Sequence, residues 1–464
     1  MSFLQDKIYP LLPVALQNIA ISMAGYKWHK RRFGGVFEAQ VKEFKDRDGY
    51  TTAQWQEYQT VELRKLLIHA IETVPYYREL FKKEGFTKES FSTFELSDLP
   101  KLPFLDKNTY RQIGTTTLLS TIQEPDGIFL PSSGSTGTPT KTMTSAINHQ
   151  RVTAGNEARI RNWAGVTQND PRGMIGGRRI VPGGNPKPPF YRYNLVEKQV
   201  YLSPYHISKS TAPNYLEGLK KYGATYMNGY AASNFVLARF FDELGLDAPQ
   251  MKAVISSSEK LTQEMRDTYQ KVYGCKTYDA YSSVEACCLI SECEHGKLHV
   301  SPDMGIIEFL NDDGEPAKAG EMAEMVCTGI LNYNQPLIRY RIKDLAILSD
   351  EKCACGREMQ VVKEIVGRIE DLVIGRDGRE FAYFYNVFVN LPNIIEGQVV
   401  QNDYEDFELN VASQNGLSEA EKETMIKRME SQLGEINVKI NEVASIPRTK
   451  NGKFKTVVSK VKRK

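Results

Sequence analysis

The ten residues Ser132-Ser133-Gly134-Ser135-Thr136-Gly137-Thr138-Pro139-Thr140-Lys141 limit what this part of the chain can become. They hold hydroxyls, two glycines and a lysine, with no acid and almost no apolar bulk. They contribute little to any core. Ile128-Phe129-Leu130 just before them, and Pro139 within them, mark a strand running into a turn. Such a loop suits a polyphosphate: glycines let backbone N–H groups turn inward, hydroxyls donate to phosphate oxygens and Lys141 offsets charge. Taken alone the stretch also reads as a flexible Ser/Gly linker. It is not a Walker A loop, because no Gly-Lys-Ser/Thr closes it.

The rest of the chain offers ample material for a core. Its 464 residues are 41% hydrophobic and 25% charged, ordinary for a soluble globular protein, and the length allows roughly two to four domains. A net charge of +2 makes no global case for nucleic acid. Positive charge is concentrated from Arg448 to the carboxyl end, where eight basic residues meet no acid; a solvated tail is expected there. Seven cysteines without a secretory signal argue against a disulfide framework and for a reducing cytoplasm. Residues 8–26 are rather apolar and precede Lys27, Trp28, Lys30, Arg31 and Arg32, but Pro10, Pro13, Gln17 and Asn18 interrupt them. A spanning helix needs about 20 mostly apolar residues, so no transmembrane segment is expected. Two readings remain for this stretch: a helix packed on the protein's own body, or a peripheral helix resting on a membrane surface.

Residues 54–74 read as a helix stopped by Pro75, because Val61, Leu63, Leu66, Leu67, Ala70, Ile71 and Val74 recur at three- and four-residue spacing. Between 145 and 300, apolar runs such as Val254-Ile255 alternate with helical patterns such as 262–272, predicting an α/β body with buried strands. Glycines and prolines crowd residues 175–194, predicting a long irregular loop. From 303 to 348 the pattern is β-like. After Gly367 the composition changes again: short strands at 372–374 and 407–411 and a helix over Glu419–Leu433 predict a small α+β domain. The expected division is 1–367 and 368–464.

Four further segments carry chemical groups: Tyr281-Ser282-Ser283-Val284-Glu285, Pro336-Leu337-Ile338-Arg339-Tyr340-Arg341 leading to Asp344, Gly367-Arg368-Ile369-Glu370-Asp371, and Pro447-Arg448-Thr449-Lys450-Asn451-Gly452-Lys453. Each alone has an ordinary reading: Glu285 as part of a helix cap, Arg-Tyr-Arg as a solvated strand face, Asn451-Gly452 as a hairpin turn.

In order and spacing these motifs resemble the adenylate-forming superfamily of acyl-CoA synthetases, luciferases and nonribosomal peptide adenylation domains. The likeness is greatest to the phenylacetate–CoA ligase branch. It extends to Tyr76-Tyr77-Arg78-Glu79-Leu80-Phe81, Cys293-Glu294-His295-Gly296 and Cys353-Ala354-Cys355-Gly356-Arg357. Pro188-Pro189-Phe190-Tyr191-Arg192-Tyr193-Asn194 and the basic opening region resemble relatives from capsular-polysaccharide gene clusters. The resemblance implies an α/β fold with a large N-terminal domain and a small mobile C-terminal domain. It implies ATP-dependent activation of a carboxylic acid as an acyl-adenylate, pyrophosphate release, and transfer to the thiol of coenzyme A. Transfer to an amine acceptor in capsular biosynthesis, or a non-catalytic nucleotide-binding role, are the alternatives.

By the same resemblance, Ser132, Ser133, Gly134, Ser135, Thr136, Gly137 and Lys141 hold the β/γ phosphates. Glu285 holds Mg²⁺. Asp344 accepts the ribose hydroxyls, with Arg368 nearby. Ser257-Ser258-Glu259 and Asp279-Ala280-Tyr281-Ser282 line the adenine pocket, and Gly229, Tyr230 and Ala231 the acyl pocket with the 175–194 loop. Lys453 is the catalytic cation and Asp371 the hinge. Thr138 stands where many relatives have lysine, and Ser282 where glycine is frequent. Arg178, Arg179 and Arg192 are candidates for recognising an anionic substrate. Cys353 and Cys355 in a tight turn, with Cys293 and His299, would make a closed Cys₃His zinc site; otherwise they are four unrelated reduced side chains. A strand through Leu298-His299-Val300 favours His299 over His295 as the ligand. Cys287 and Cys288 read as small pocket or core residues.

Overall fold

The computed structural model describes residues 8–132, 140–178, 180–181, 187–368, 373–376, 380–381, 384–388, 391, 393–449 and 454–461. Helices Val14–Phe33, Phe37–Asp46, Thr52–Thr73 and Pro75–Lys83 open the chain. The third starts on a capping box, Thr51 and Gln54 exchanging side-chain-to-backbone bonds, and Pro75 ends it by beginning the next helix. Its Leu63, Leu66, Leu67 and Ala70 join Tyr77, Phe81, Phe91 and Phe94 in the largest apolar core.

Twelve strands form one sheet. Five of them are parallel toward one end of it, in the order Gln199–Leu202, Arg172–Ile175, Tyr226–Tyr230, Ala253–Ser257, Lys276–Ser282. Strands buried on both faces are largely apolar, and Gln199–Leu202, with Val200, Tyr201 and Leu202, is buried along its whole length. Helices Ala212–Lys221, Ala231–Glu243 and Gln263–Tyr273 connect them and cover the second core. The remaining strands continue antiparallel: Tyr191–Asn194 at one edge, and Leu289–Glu292, Leu298–Val300, Val361–Arg368, Tyr340–Ser349, Met322–Thr328 and Ile306–Leu310 on the other side. The irregular stretch predicted over 175–194 therefore stops at Phe190. Tyr191–Asn194 pairs with Gln199–Leu202 through a short turn in which Lys198 takes φ +48°.

In chain order the five parallel strands run 2-1-3-4-5. The order reverses between Arg172–Ile175 and Tyr226–Tyr230, and ligands of open α/β sheets bind outside the carboxyl ends of strands at such a switch point. The two strands approach closely here. A Cβ on Gly229 (φ +131°) would lie 1.8 Å from the Ile175 carbonyl oxygen, so only glycine fits.

A second sheet, Asn437–Glu442, Asp406–Ser413, Ile394–Gln401 and Val457–Ser459, carries helix Glu419–Leu433. Phe407, Leu409, Val411, Met425 and Met429 fill its own core. Val373–Ile374 pairs with Glu380–Phe381 beside it; residue 372 lies outside the described residues.

Candidate active site

The neck of the 132–141 loop is the hairpin Ile128–Pro131 and Lys141–Thr144, with Pro131 opposite Lys141. Ser132 N–H donates to the Thr140 carbonyl at 2.9 Å, and Thr140 N–H donates to Ser132 Oγ at 2.9 Å. Ser133, Gly134, Ser135, Thr136, Gly137, Thr138 and Pro139 lie outside the described residues. The buried Thr140 hydroxyl donates to Glu285 Oε1 at 3.0 Å, and the Tyr340 hydroxyl reaches the same oxygen at 3.5 Å. The base of the loop thus rests on a carboxylate that is only 6% exposed. Gln335 fixes the hairpin from behind: it accepts from Met143 N–H at 2.8 Å and donates to the Lys141 carbonyl at 3.3 Å.

Glu285 follows strand Lys276–Ser282 on a turn with no helix after it, which removes the capping reading. Ala286 there takes φ +51°. Ser258 (+69°), Arg339 (+47°) and Lys343 (+70°) are likewise left-handed, each inside or beside a motif singled out above. Such non-glycine conformations cost of order 1–3 kcal/mol and persist where surrounding structure dictates them.

Asp344 lies opposite Arg368 on the neighbouring strand; the Arg368 side chain lies outside what the structure describes. The Tyr281 hydroxyl donates to Asp344 Oδ2 at 2.6 Å. Burial, then the Asp344 charge, raises the Tyr281 phenol far above its ordinary value, and burial, then Glu285, does the same to Tyr340. Both phenols stay protonated donors facing carboxylates.

The two segments assigned to adenine are adjacent strand ends, Ser257 opposite Ala280. Burial, and then the nearby Glu292, push the Asp279 carboxyl up to about 7. Arg266 holds Glu292 at 3.0 and 2.7 Å, and Asp279 N–H donates to Glu292 Oε2 at 2.8 Å. Glu259 accepts from Ala232 N–H at 2.9 Å, in the first turn of the helix that follows Tyr230 and Ala231. Its other oxygen accepts from Phe454 N–H at 2.8 Å. The C-terminal segment therefore docks on the carboxyl ends of the parallel strands, one residue after Lys453. Lys453 and Asp371 themselves lie outside the described residues.

The arginines divide. Arg178 donates to the Tyr201 hydroxyl at 2.9 Å at the switch point. Arg179 lies outside the described residues. Arg192 is buried and spent on Gln17 Oε1 and the carbonyls of Pro189 and Tyr191. It anchors the first helix and is not a substrate contact. Arg339 grips Glu308 at 2.9 and 2.8 Å, so it is no solvated strand residue.

A second constellation forms away from these turns. Cys293, His299, Cys353 and Cys355 bring their ligand atoms within 4.8 Å of one another. Cys293 Sγ is 3.5 Å from Cys353 Sγ, and Cys355 Sγ is 3.4 Å from His299 Nε2. Backbone N–H groups of His295 and Cys355 point at Cys293 and Cys353 sulfur, while His299 Nδ1 lies 3.3 Å from the Met359 carbonyl. Burial lowers His299 from its ordinary value, keeping a neutral imidazole with Nε2 toward the sulfurs. Three thiols and one oriented imidazole fit tetrahedral zinc. Cys287, Cys288 and Cys327 form a separate buried trio in the main core.

The sequence does not mark Gln335, Tyr340 or Glu292 as site residues: Tyr340 lies within a motif and Gln335 beside one, and Glu292 carries no local signal.

A structure of 2-hydroxyisobutyryl-CoA ligase, in the postadenylation state with R3-HIB-AMP, superposes with a TM-score of 0.69 over 89% of this chain and 91% of that one, at 18% identity. The fold is that of the adenylate-forming CoA ligases. Phenylacetate-coenzyme A ligase of Thermus thermophilus is 26% identical over 68% of this chain and 71% of its own. The chain is thus homologous to the phenylacetate-CoA ligases and shares the fold of the adenylate-forming CoA ligases. It is also homologous end to end to protein CapK of Staphylococcus aureus, 25% identical over 98% of this chain and 99% of that protein. Residues 377–460 match the family model of the CapK C-terminal domain.

Proposed function

We propose that this chain uses ATP to convert a carboxylic acid into its acyl-adenylate, releasing pyrophosphate, and then passes the acyl group to the thiol of coenzyme A. The observation that carries the reading is the joining of the 132–141 loop to Glu285 through Thr140, beside the switch point where Glu259 holds Phe454. On this reading the phosphate-binding loop, the buried acid and the lysine-bearing segment share one rim of the sheet.

In the first step a carboxylate oxygen of the acid attacks the α-phosphorus and the bond to pyrophosphate breaks. The loop hydroxyls, N–H groups and Lys141 hold the departing phosphates, and Asp344 positions the ribose with Arg368. Ser257–Glu259 and Asp279–Ser282 flank the base, and Gly229–Ala231 the acid. Lys453 neutralises charge on the carboxylate and α-phosphate, an electrostatic contribution that preorganisation makes large. Mg²⁺, a hard cation suited to one carboxylate plus phosphate oxygens, fits Glu285 and would neutralise the triphosphate. In the second step the thiolate attacks the acyl carbonyl and AMP leaves. Residues 1–367 and 368–464 act as body and lid about Asp371, so that Lys453 withdraws before the thiol approaches. Cys293, His299, Cys353 and Cys355 would hold a structural zinc.

Pyrophosphate exchange across a panel of carboxylic acids, followed by AMP release with coenzyme A or with amino sugars, tests the proposal. Exchange with an acid and AMP release dependent on coenzyme A is the expected result. AMP release with amino sugars alone would transfer the second step to the amine reading, which the end-to-end homology to CapK keeps open. Absence of exchange with every acid would reject the activity.

A further inference from the structure

Helix Val14–Phe33 lies along the sheet edge, with Ile21 and Phe33 packed on the cores. Three of its polar side chains also face inward and bind the edge of Tyr191–Asn194: Tyr193 N–H donates to Asn18 Oδ1 at 3.0 Å, Leu195 N–H donates to Ser22 Oγ at 3.0 Å, and Gln17 takes the Arg192 guanidinium. Gly25 packs directly on the Asn194 side chain. The outward ridge, Leu16, Ile19, Met23 and Tyr26 at alternating three- and four-residue spacing, is apolar and exposed, Met23 to 71% and Tyr26 to 62%. Beside it an open groove of about 750 Å³ runs between the helix and Tyr193, Leu195 and Tyr222, and Leu195 at its rim is 68% exposed.

Charge follows the same geometry. From Lys7 to Phe37 the sequence has five lysines and arginines and no acid. Arg31 is spent on the Asp126 and Thr144 carbonyls and Arg32 on Glu197. Lys27 and Lys30 are exposed one turn beyond Met23 and Tyr26. On the far rim the Lys221 ammonium lies 5.6 Å from the Tyr222 ring centre. An apolar ridge with tyrosines at its edge and lysines at both rims matches an interfacial helix on anionic lipid. A second copy of this chain would bring two such cationic segments together with no acid in either to offset them.

We propose that this face docks on the surface of an anionic phospholipid bilayer, with Leu16, Ile19, Met23, Tyr26 and Leu195 entering the headgroup–acyl boundary and Lys27 and Lys30 meeting lipid phosphates. The proposal does not depend on the ligase reading. Among the described residues no helix is long and apolar enough to cross a membrane, so the contact is peripheral.

The test is co-sedimentation of the full chain with vesicles of phosphatidylglycerol and phosphatidylethanolamine, against vesicles of phosphatidylcholine alone, at low and high salt. Binding to the anionic vesicles about tenfold tighter than to the neutral ones, weakened by salt, is expected. Met23→Glu with Leu195→Glu should lower it about tenfold or more, and Lys27→Glu with Lys30→Glu should remove the salt dependence. Met23→Ser serves as a milder variant, and an unchanged melting temperature certifies the fold of each. No binding to anionic vesicles overturns the proposal, as does binding that the Met23 variants leave intact. A concentration-dependent dimer dispersed by Met23→Glu, without vesicle binding, overturns it in favour of a second copy.

Discussion

The turns around Glu285 and the cluster around Cys293 are both gathered from segments far apart in sequence, yet they are finished differently. At the first, side chains converge from a hairpin, two strand ends and a turn, and the neighbouring Ala286, Arg339 and Lys343 take left-handed backbone. Glu285 has one oxygen engaged by Thr140 and Tyr340 at the neck of the 132–141 segment. At the second, four soft ligands face one another and the surrounding amides already point at sulfur. The first arrangement suits reagents that come and go, whereas the second leaves no position for one. Substitutions at the first should therefore change rate without stability, and at the second stability without rate.

The sharpest break of that contrast would come from Lys453. Lys453→Ala should slow pyrophosphate exchange by roughly 10²–10³-fold, the usual scale for one preorganised charge, with nucleotide affinity much less altered and the melting temperature unchanged. Wild-type exchange in that variant would remove Lys453 from the chemistry. Glu285→Gln should lower exchange by about 10²-fold and raise the magnesium concentration needed for half-maximal rate. A fall in melting temperature instead would make Glu285 a structural acid. Thr140→Val removes one bond to that charged oxygen and should cost about tenfold in exchange. At the other cluster, Cys353→Ser with Cys355→Ser should abolish stoichiometric zinc and lower the melting temperature, while exchange per folded molecule stays within about threefold of wild type. Metal-free wild-type protein would defeat this half of the comparison.

The smallest effect concerns Asp279. Its folded-state carboxyl titrates near 7 against an ordinary 3.8, so the native protein keeps a proton that the unfolded chain has lost. Stability should fall as pH rises from about 4 to about 7. Asp279→Asn should flatten that decline in a thermal melt series.

Much of the site could be read from local chemistry. Helix Glu419–Leu433 announces itself through the Ser418 cap and its apolar spacing. The strand entering the 132–141 loop is legible in the apolar Ile128-Phe129-Leu130. Strand geometry alone favours His299 over His295, and His299 is the one whose ring faces Cys355. Tertiary contacts carried no such signal. Nothing local in Arg192 says that Gln17, 175 residues earlier, would claim it. Glu259 reads as a pocket residue, yet its two oxygens are divided between a helix start and Phe454. The edge strand Tyr191–Asn194 hid behind prolines because its neighbours, more than its own sequence, decide that it pairs.

A twelve-stranded sheet that begins at a short strand has an unprotected flank unless something sits along it. Here Asn18 and Ser22 imitate a thirteenth strand, taking the Tyr193 and Leu195 amides that would otherwise recruit another chain. Proteolytic removal of the first helix would leave that flank as a template for self-association, so preparations trimmed at the amino terminus should precipitate even with every catalytic group intact.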